Sequence, residues 1–183
     1  MVEKAIDQMK KFELMETVND ATTHVVCGDP RRTLNVMRGV VRGSKIVSFS
    51  WVLLLFSKTV NIFKHVFLLK VTESMAEGKW LNEDDYPVER FSAAASLYRT
   101  NKRVLFEKET FYVSSRSKIP SRDLCELIKC AGGELTNVSK KASIIVGHRK
   151  PQVNVPCVSG TWILDCIEKG LTLPLTNYLI PSA

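Results

Sequence analysis

The second half of the chain shows the clearest alternation of apolar and polar positions. Thr110 to Ser115 (TFYVSS) predicts a strand. Ser121 or Arg122 opens a helix whose Leu124, Leu127 and Ile128 fall at core spacing. Gly132-Gly133 closes it, because a helix C-terminus favours a residue free to take positive φ. Glu134 to Val138, the apolar run Ser143 to Val146, and Val155 to Val158 follow as three further strands. Thr161 is expected to cap a last helix that turns Trp162 to the core, runs to about Lys169 and stops at Gly170. Strands alternating with helices in this way predict an α/β fold with a parallel sheet flanked by helices.

The first half repeats the plan. Val47-Ser48-Phe49-Ser50-Trp51-Val52-Leu53 returns 111 residues later as Val158-Ser159-Gly160-Thr161-Trp162-Ile163-Leu164. Val25-Val26-Cys27-Gly28 resembles Ile144-Ile145-Val146-Gly147, while Gly78, Leu81 and Tyr86 match Gly170, Leu173 and Tyr178 at an offset of 92. Two copies of one unit are the simplest account. The drop in offset gives the first copy 19 extra residues, and removing Leu53 to Val71 restores the match. That apolar segment reads either as a long helix or lid, or as sequence foreign to the unit, from a splice variant or a misassigned gene. The second reading is favoured, since an unpartnered apolar insertion exposes a sticky, aggregation-prone patch. The first copy spans 1–88 and starts at a helix near Val2, so it lacks its first strand. Residues 89–108 are mixed and polar and read as a linker with a short helix around Phe91 to Tyr98, and the second copy spans 109–183.

Composition narrows the function classes. With 183 residues, 45% apolar and 25% charged, two small domains can each bury a core. The net charge of +7 favours anionic partners: phosphorylated peptide, acidic protein or nucleic acid. Cys27, Cys125, Cys130, Cys157 and Cys166 show no CxxC spacing, which argues against a disulfide framework or a zinc site and for a reducing compartment. Lys4, Asp7, Lys10 and Lys11 interrupt any apolar leader, and Lys58, Lys64, His65 and Lys70 break the run from Val52 to Val71 too often for a membrane span. No Ser-His-Asp order, HExxH, P-loop or GxGxxG accompanies His24, His65 or His148, so neither an enzyme nor a cofactor is expected. Asp123 and Glu126 share a helix face and read as first-turn charges rather than an acid–base pair.

One constellation carries recognition chemistry. Asp29 is read as a helix N-cap and Pro30 as the first helical residue, which places Arg31 and Arg32 in the first turn. Cations there oppose the helix dipole at ~0.3–1 kcal/mol each. The arrangement makes sense if an anion visits free N–H groups and guanidinium donors together. The bland alternative is a solvated arginine pair, or an ion pair with Asp29. Further basic clusters (Arg99, Lys102 and Arg103; Arg116, Lys118 and Arg122; Lys140 and Lys141; His148, Arg149 and Lys150) are solvated loops or contacts to DNA phosphates, without aromatic residues to stack bases.

Gly132-Gly133, the W-x-x-x-C string Trp162 to Cys166, Ala21-Thr22-Thr23-His24-Val25-Val26, Arg32-Thr33-Leu34-Asn35-Val36-Met37 and Ser50-Trp51-Val52 resemble, in order and repetition, a tandem pair of BRCT repeats. The resemblance implies four-stranded parallel sheets with the first strand between the second and third, the first repeat here missing that strand, and a chain that is part of a longer protein. It also implies a phosphopeptide-binding scaffold of the DNA-damage response and chromosome condensation, nuclear and in part centrosomal, monomeric, reading phosphorylated protein tails such as a phosphorylated histone. By motif matching, Arg32 grips the peptide main chain or a C-terminal carboxylate, Thr33 beside it is a further phosphopeptide-binding residue, and Asn35 replaces the usual phosphate-binding lysine. Met37, Ile119 and Leu164 line the apolar pocket for a residue three positions on, or else are simply inter-repeat core. The hydroxyl and amide that complete the phosphate clamp follow the missing strand. A DNA- or chromatin-binding surface and a phosphate-independent interaction module are the alternatives.

Overall fold

A computed structural model describes residues 15–51, 82–101, 104–148 and 153–181. The expectations for the chain ahead of Met15 and for the 53–71 insertion lie outside the described residues. In chain order come β1 (His24–Cys27), α1 (Leu34–Val41), β2 (Lys45–Ser48), α2 (Glu89–Asn101), β3 (Thr110–Val113), α3 (Ser121–Cys130), β4 (Glu134–Leu135), β5 (Ile144–Val146), β6 (Cys157–Val158) and α4 (Gly160–Lys169).

The second repeat forms a four-stranded parallel sheet in the order β4-β3-β5-β6. Its earliest strand thus lies between the next two, as expected. In the first repeat, β1 and β2 pair in parallel as a two-stranded sheet among the described residues, with His24 opposite Lys45 and Cys27 opposite Ser48. The repeat is visible in three dimensions on both sides of residues 52–81. Val47 bridges Pro87 antiparallel just as Val158 bridges Leu179. The Ser48 N–H donates to the Tyr86 carbonyl at 2.9 Å, and the Ser159 N–H donates to the Tyr178 carbonyl at the same distance. Trp51 and Trp162 are both buried.

Local chemistry sets the element ends. The α3 face of Leu124, Leu127 and Ile128 is fully buried. Gly132 takes φ +86°, and a Cβ on Gly133 would sit 2.7 Å from Ile128 and 2.8 Å from the Phe111 ring, so this turn requires both glycines. Helix α4 is capped by Ser159, whose hydroxyl accepts from the Thr161 N–H, rather than by Thr161 itself. Gly170 ends it in the left-handed region at φ +64°. Trp162 is wholly buried, stacks on Phe106 at 5.4 Å and donates its indole N–H to the Leu173 carbonyl at 2.9 Å. Burial pushes the Cys166 thiol up to about 11, which makes that cysteine packing material rather than a nucleophile. All five cysteines are free.

The polar segment expected to be a linker with a short helix is instead largely the 13-residue helix α2. Its helical run of Ala93, Ala94 and Ala95 favours that conformation. Phe91, Ala94, Ala95 and Tyr98 bury one face of it. Helix α2 packs against β2 and α1 of the first repeat and α4 of the second, and α1 packs against α3 and α4. A single apolar core therefore runs from Val36, Met37 and Val40 through Phe91 to Leu127 and Ile163.

Candidate inter-repeat recognition site

The apolar seam is bracketed by two ionic networks. On one side, Arg38 of α1 donates to Asp123 at 2.5 Å and to Glu126 at 3.0 Å, both on α3. Arg42 donates to Glu126 at 2.9 Å and to Asp20 at 2.8 Å. Burial opposes ionisation of Glu126, but the two guanidinium donors outweigh it and hold the carboxyl below its ordinary range. Arg38 and Arg42 are four residues apart and Asp123 and Glu126 three apart, so each pair lies on one helix face. These complementary stripes were legible in the sequence, but nothing in it said that the two helices meet.

The other network surrounds Arg32. Its guanidinium is bound to the Asp165 carboxylate and lies 3.4 Å from Glu168, both on α4. Arg90 of α2 donates to Glu168 at 2.7 Å and to the Pro30 carbonyl at 3.1 Å. The Tyr178 hydroxyl donates to Asp165 at 2.8 Å, and that bond, followed by burial, raises its pKa. Two arginines, two carboxylates and a phenol from four segments thus meet at one edge of the seam. The Arg32 side chain keeps 26% exposure there, enough for a ligand to reach it.

The expectation that Arg31 and Arg32 occupy a first helical turn is corrected. Helix α1 begins at Leu34, with Thr33 as N-cap accepting from the Val36 N–H. The chain from Asp29 to Thr33 is extended by two tight turns, Arg31 N–H to the Asp29 carbonyl and Thr33 N–H to the Arg31 carbonyl, which delays the helix by one turn. Asp29 pairs with Arg31 instead of capping, and the cations precede the helix.

The six expected site residues are dispersed around the seam. Arg32 reaches its charged edge, and the Thr33 hydroxyl is spent on the cap. Asn35 donates to the Glu16 carbonyl at 3.4 Å and accepts from Arg38 at 3.2 Å. Met37 is fully buried in the inter-repeat core, so it supports the seam rather than lining an open wall. Leu164 is 8% exposed on α4, and half-buried Ile119 lies against Gly160 at the start of that helix. Arg90, Asp165 and Glu168 are not singled out by the sequence, and Tyr178 is marked there only as the repeat partner of Tyr86. Asp165 and Glu168, three apart on the Trp162 helix, were the available signal. Among the described residues, no group of three His, Cys, Asp or Glu side chains is placed to hold a metal ion, and no helix is long and apolar enough to cross a membrane.

Comparison with known proteins fits this architecture. A model of the BRCA1 C Terminus (BRCT) domain matches residues 5–56 and a second BRCT domain model matches residues 104–179, one on each repeat. The chain belongs to the BRCT family. It is 31% identical to microcephalin of Macaca fascicularis across 100% of its length, and 30% identical to that of Homo sapiens across 98%. The chain spans 21% of the length of these curated relatives. A solved complex of Rtt107p with a phosphorylated histone aligns over 98% of this chain and 86% of that one, at TM-score 0.59 and 12% identity. Rtt107p residues 820–1070 alone align over the same shares at TM-score 0.56. At such identity the likeness shows a common tandem BRCT fold.

Proposed function

We propose that this BRCT pair is a non-catalytic scaffold that docks phosphorylated protein tails along the inter-repeat seam, in the nuclear DNA-damage response and chromosome condensation. The observation that carries the reading is the accessible Arg32 guanidinium at the mouth of the apolar seam between the repeats. A planar guanidinium suits a peptide carboxylate or main-chain carbonyl, because its donors pair with two acceptors at once. In the free protein Asp165 and Glu168 both engage the Nη1 of that guanidinium. An acidic tail would exchange one carboxylate for another, while Arg90 keeps Glu168 neutralised. Docking would leave two arginines facing three carboxylates, and Asp165, displaced from Arg32, would keep only the Tyr178 hydroxyl, so the exchange carries a cost that contacts along the seam must offset. Support for a phosphorylated partner comes from the histone-bound Rtt107p relative and from the excess of basic residues. Asn35 supplies no positive charge to the phosphate, so affinity is expected to rest heavily on Arg32. A histone tail ending in a free carboxylate is the ligand class that fits best.

Isothermal titration with a phosphorylated tail peptide and its unphosphorylated twin tests this. The phosphorylated form should bind at least ~10-fold more tightly. Arg32→Ala should cost ~10–100-fold, the range for losing a charge-assisted hydrogen-bonded pair. Equal binding of the two peptides, or an Arg32→Ala protein with unchanged affinity, would overturn the assignment.

A further inference from the structure

The second repeat carries an excess of positive charge that the seam does not use. We propose that the rim formed by Arg116, Lys118, Arg122 and His148 contacts the phosphodiester backbone of duplex DNA. In the second sheet, β3 leads through α3 to β4 on one side, while β5 lies on its other side and leads outward to β6. The direction of winding reverses between β3 and β5, and open parallel sheets place ligands beyond the carboxyl ends of the strands at such a point. The residues that follow those two ends are Ser114 to Lys118 and Gly147-His148. Ser117 is seated on Gly147, since a Cβ there would lie 2.5 Å from the Ser117 Cβ, so the two loops form one rim.

Arg116 and Lys118 flank Ser117, Arg122 stands in the first turn of α3, and all three are exposed, as is His148. The stretch from Ser114 to Arg122 contains no acidic residue. The next carboxylate, Asp123, is consumed across the seam by Arg38 at 2.5 Å. Among the described residues none of the four forms a salt bridge, whereas Arg32, Arg38, Arg42 and Arg90 all do. The buried Ser114 hydroxyl beneath the rim accepts from the Arg116 N–H at 3.2 Å, while the cations themselves are spread over exposed loops and a helix turn. That geometry favours a diffuse polyanion with repeated charges, read without base contacts, over a phosphorylated side chain.

Fluorescence anisotropy of a labelled ~20-base-pair duplex, titrated with the whole chain between 50 and 200 mM NaCl, tests the proposal. Three phosphate contacts predict a log–log salt slope near −2.7, or ~40-fold weaker binding over that range. The triple variant Arg116→Ala, Lys118→Ala, Arg122→Ala should bind at least ~10-fold more weakly at 100 mM salt, with a much flatter slope. Its thermal melt should be unchanged, because all three side chains are exposed. Lys140→Ala with Lys141→Ala, in the turn that precedes β5 at the opposite end of the sheet, should keep binding, as should Arg32→Ala. The proposal is overturned if the triple variant binds DNA as the parent does, or if the Lys140/Lys141 variant loses as much. Loss of phosphorylated-tail binding in the triple variant with DNA binding intact would likewise overturn it and make the rim a peptide site.

Discussion

Arg38→Ala probes how firmly the repeats are held together. The guanidinium lies between Asp123 and Glu126, with side-chain exposures of 16%, 18% and 33% respectively. Solvated ion pairs contribute ~0–1 kcal/mol, while breaking a fully buried pair costs ~3–5 kcal/mol because the remaining charge is stranded. Glu126 retains Arg42 at 2.9 Å after the substitution, so the penalty falls mainly on Asp123. A loss of ~2 kcal/mol follows, equivalent to ~4–8 °C in Tm for a chain of this size. Urea and thermal melts at 50 mM and 1 M NaCl provide the assay. At 1 M salt the screening length is ~3 Å, which suppresses solvated pairs and leaves partly buried ones largely intact. Arg31→Ala serves as control, since that side chain is 80% exposed and pairs with a 58% exposed Asp29. It should change stability by less than ~0.5 kcal/mol. An Arg38→Ala protein as stable as this control, or a deficit that vanishes at 1 M salt, would refute the view that the network clamps the seam.

Two further outcomes follow from the packing. Trp162→Ala should lose ~3–5 kcal/mol, because it empties a fully buried site bordered by Phe106 and Phe111 and orphans the Leu173 carbonyl; a melt within ~1 kcal/mol of the parent would contradict that. Burial, outweighing the Glu83 carboxylate 3.3 Å away, lowers the His24 pKa below its ordinary 6.5. The folded state then keeps the ring neutral while the unfolded chain takes up a proton, so this stabilisation is present above about pH 6.5 and is lost as the pH falls. Urea melts from pH 7.5 to 5.5 should show that decline, and His24→Phe, which preserves the stack on Trp51, should flatten it.

Much of the second repeat was legible because its signals are local. Gly132-Gly133, the apolar spacing of α3 and Gly170 each fix one element end without help from distant residues. The duplication was legible because Trp51 and Trp162 anchor matching strings. Helix α2 is less legible: Glu89, Arg90, Ser92, Ser96, Arg99 and Thr100 make its surface polar, and between its two buried aromatics, Phe91 and Tyr98, the stripe consists of the small Ala94 and Ala95. The Asp29-Pro30 start was a sound local reading overridden by a better cap at Thr33. The partners of Arg32 could not be read at all, since Asp165 and Glu168 lie more than 130 residues away and meet it only through the packing of α1 on α4.

Helix α2 is both the tether between the halves and part of the wedge on which they close. A flexible string could be lengthened without consequence, but a rod packed on both sides cannot. One extra residue between Glu89 and Tyr98 would rotate the faces before and after it by about 100° relative to one another, taking Phe91 and Tyr98 out of register. The angle between the two modules, and with it the width of any channel between them, is therefore written into the count of residues along this rod.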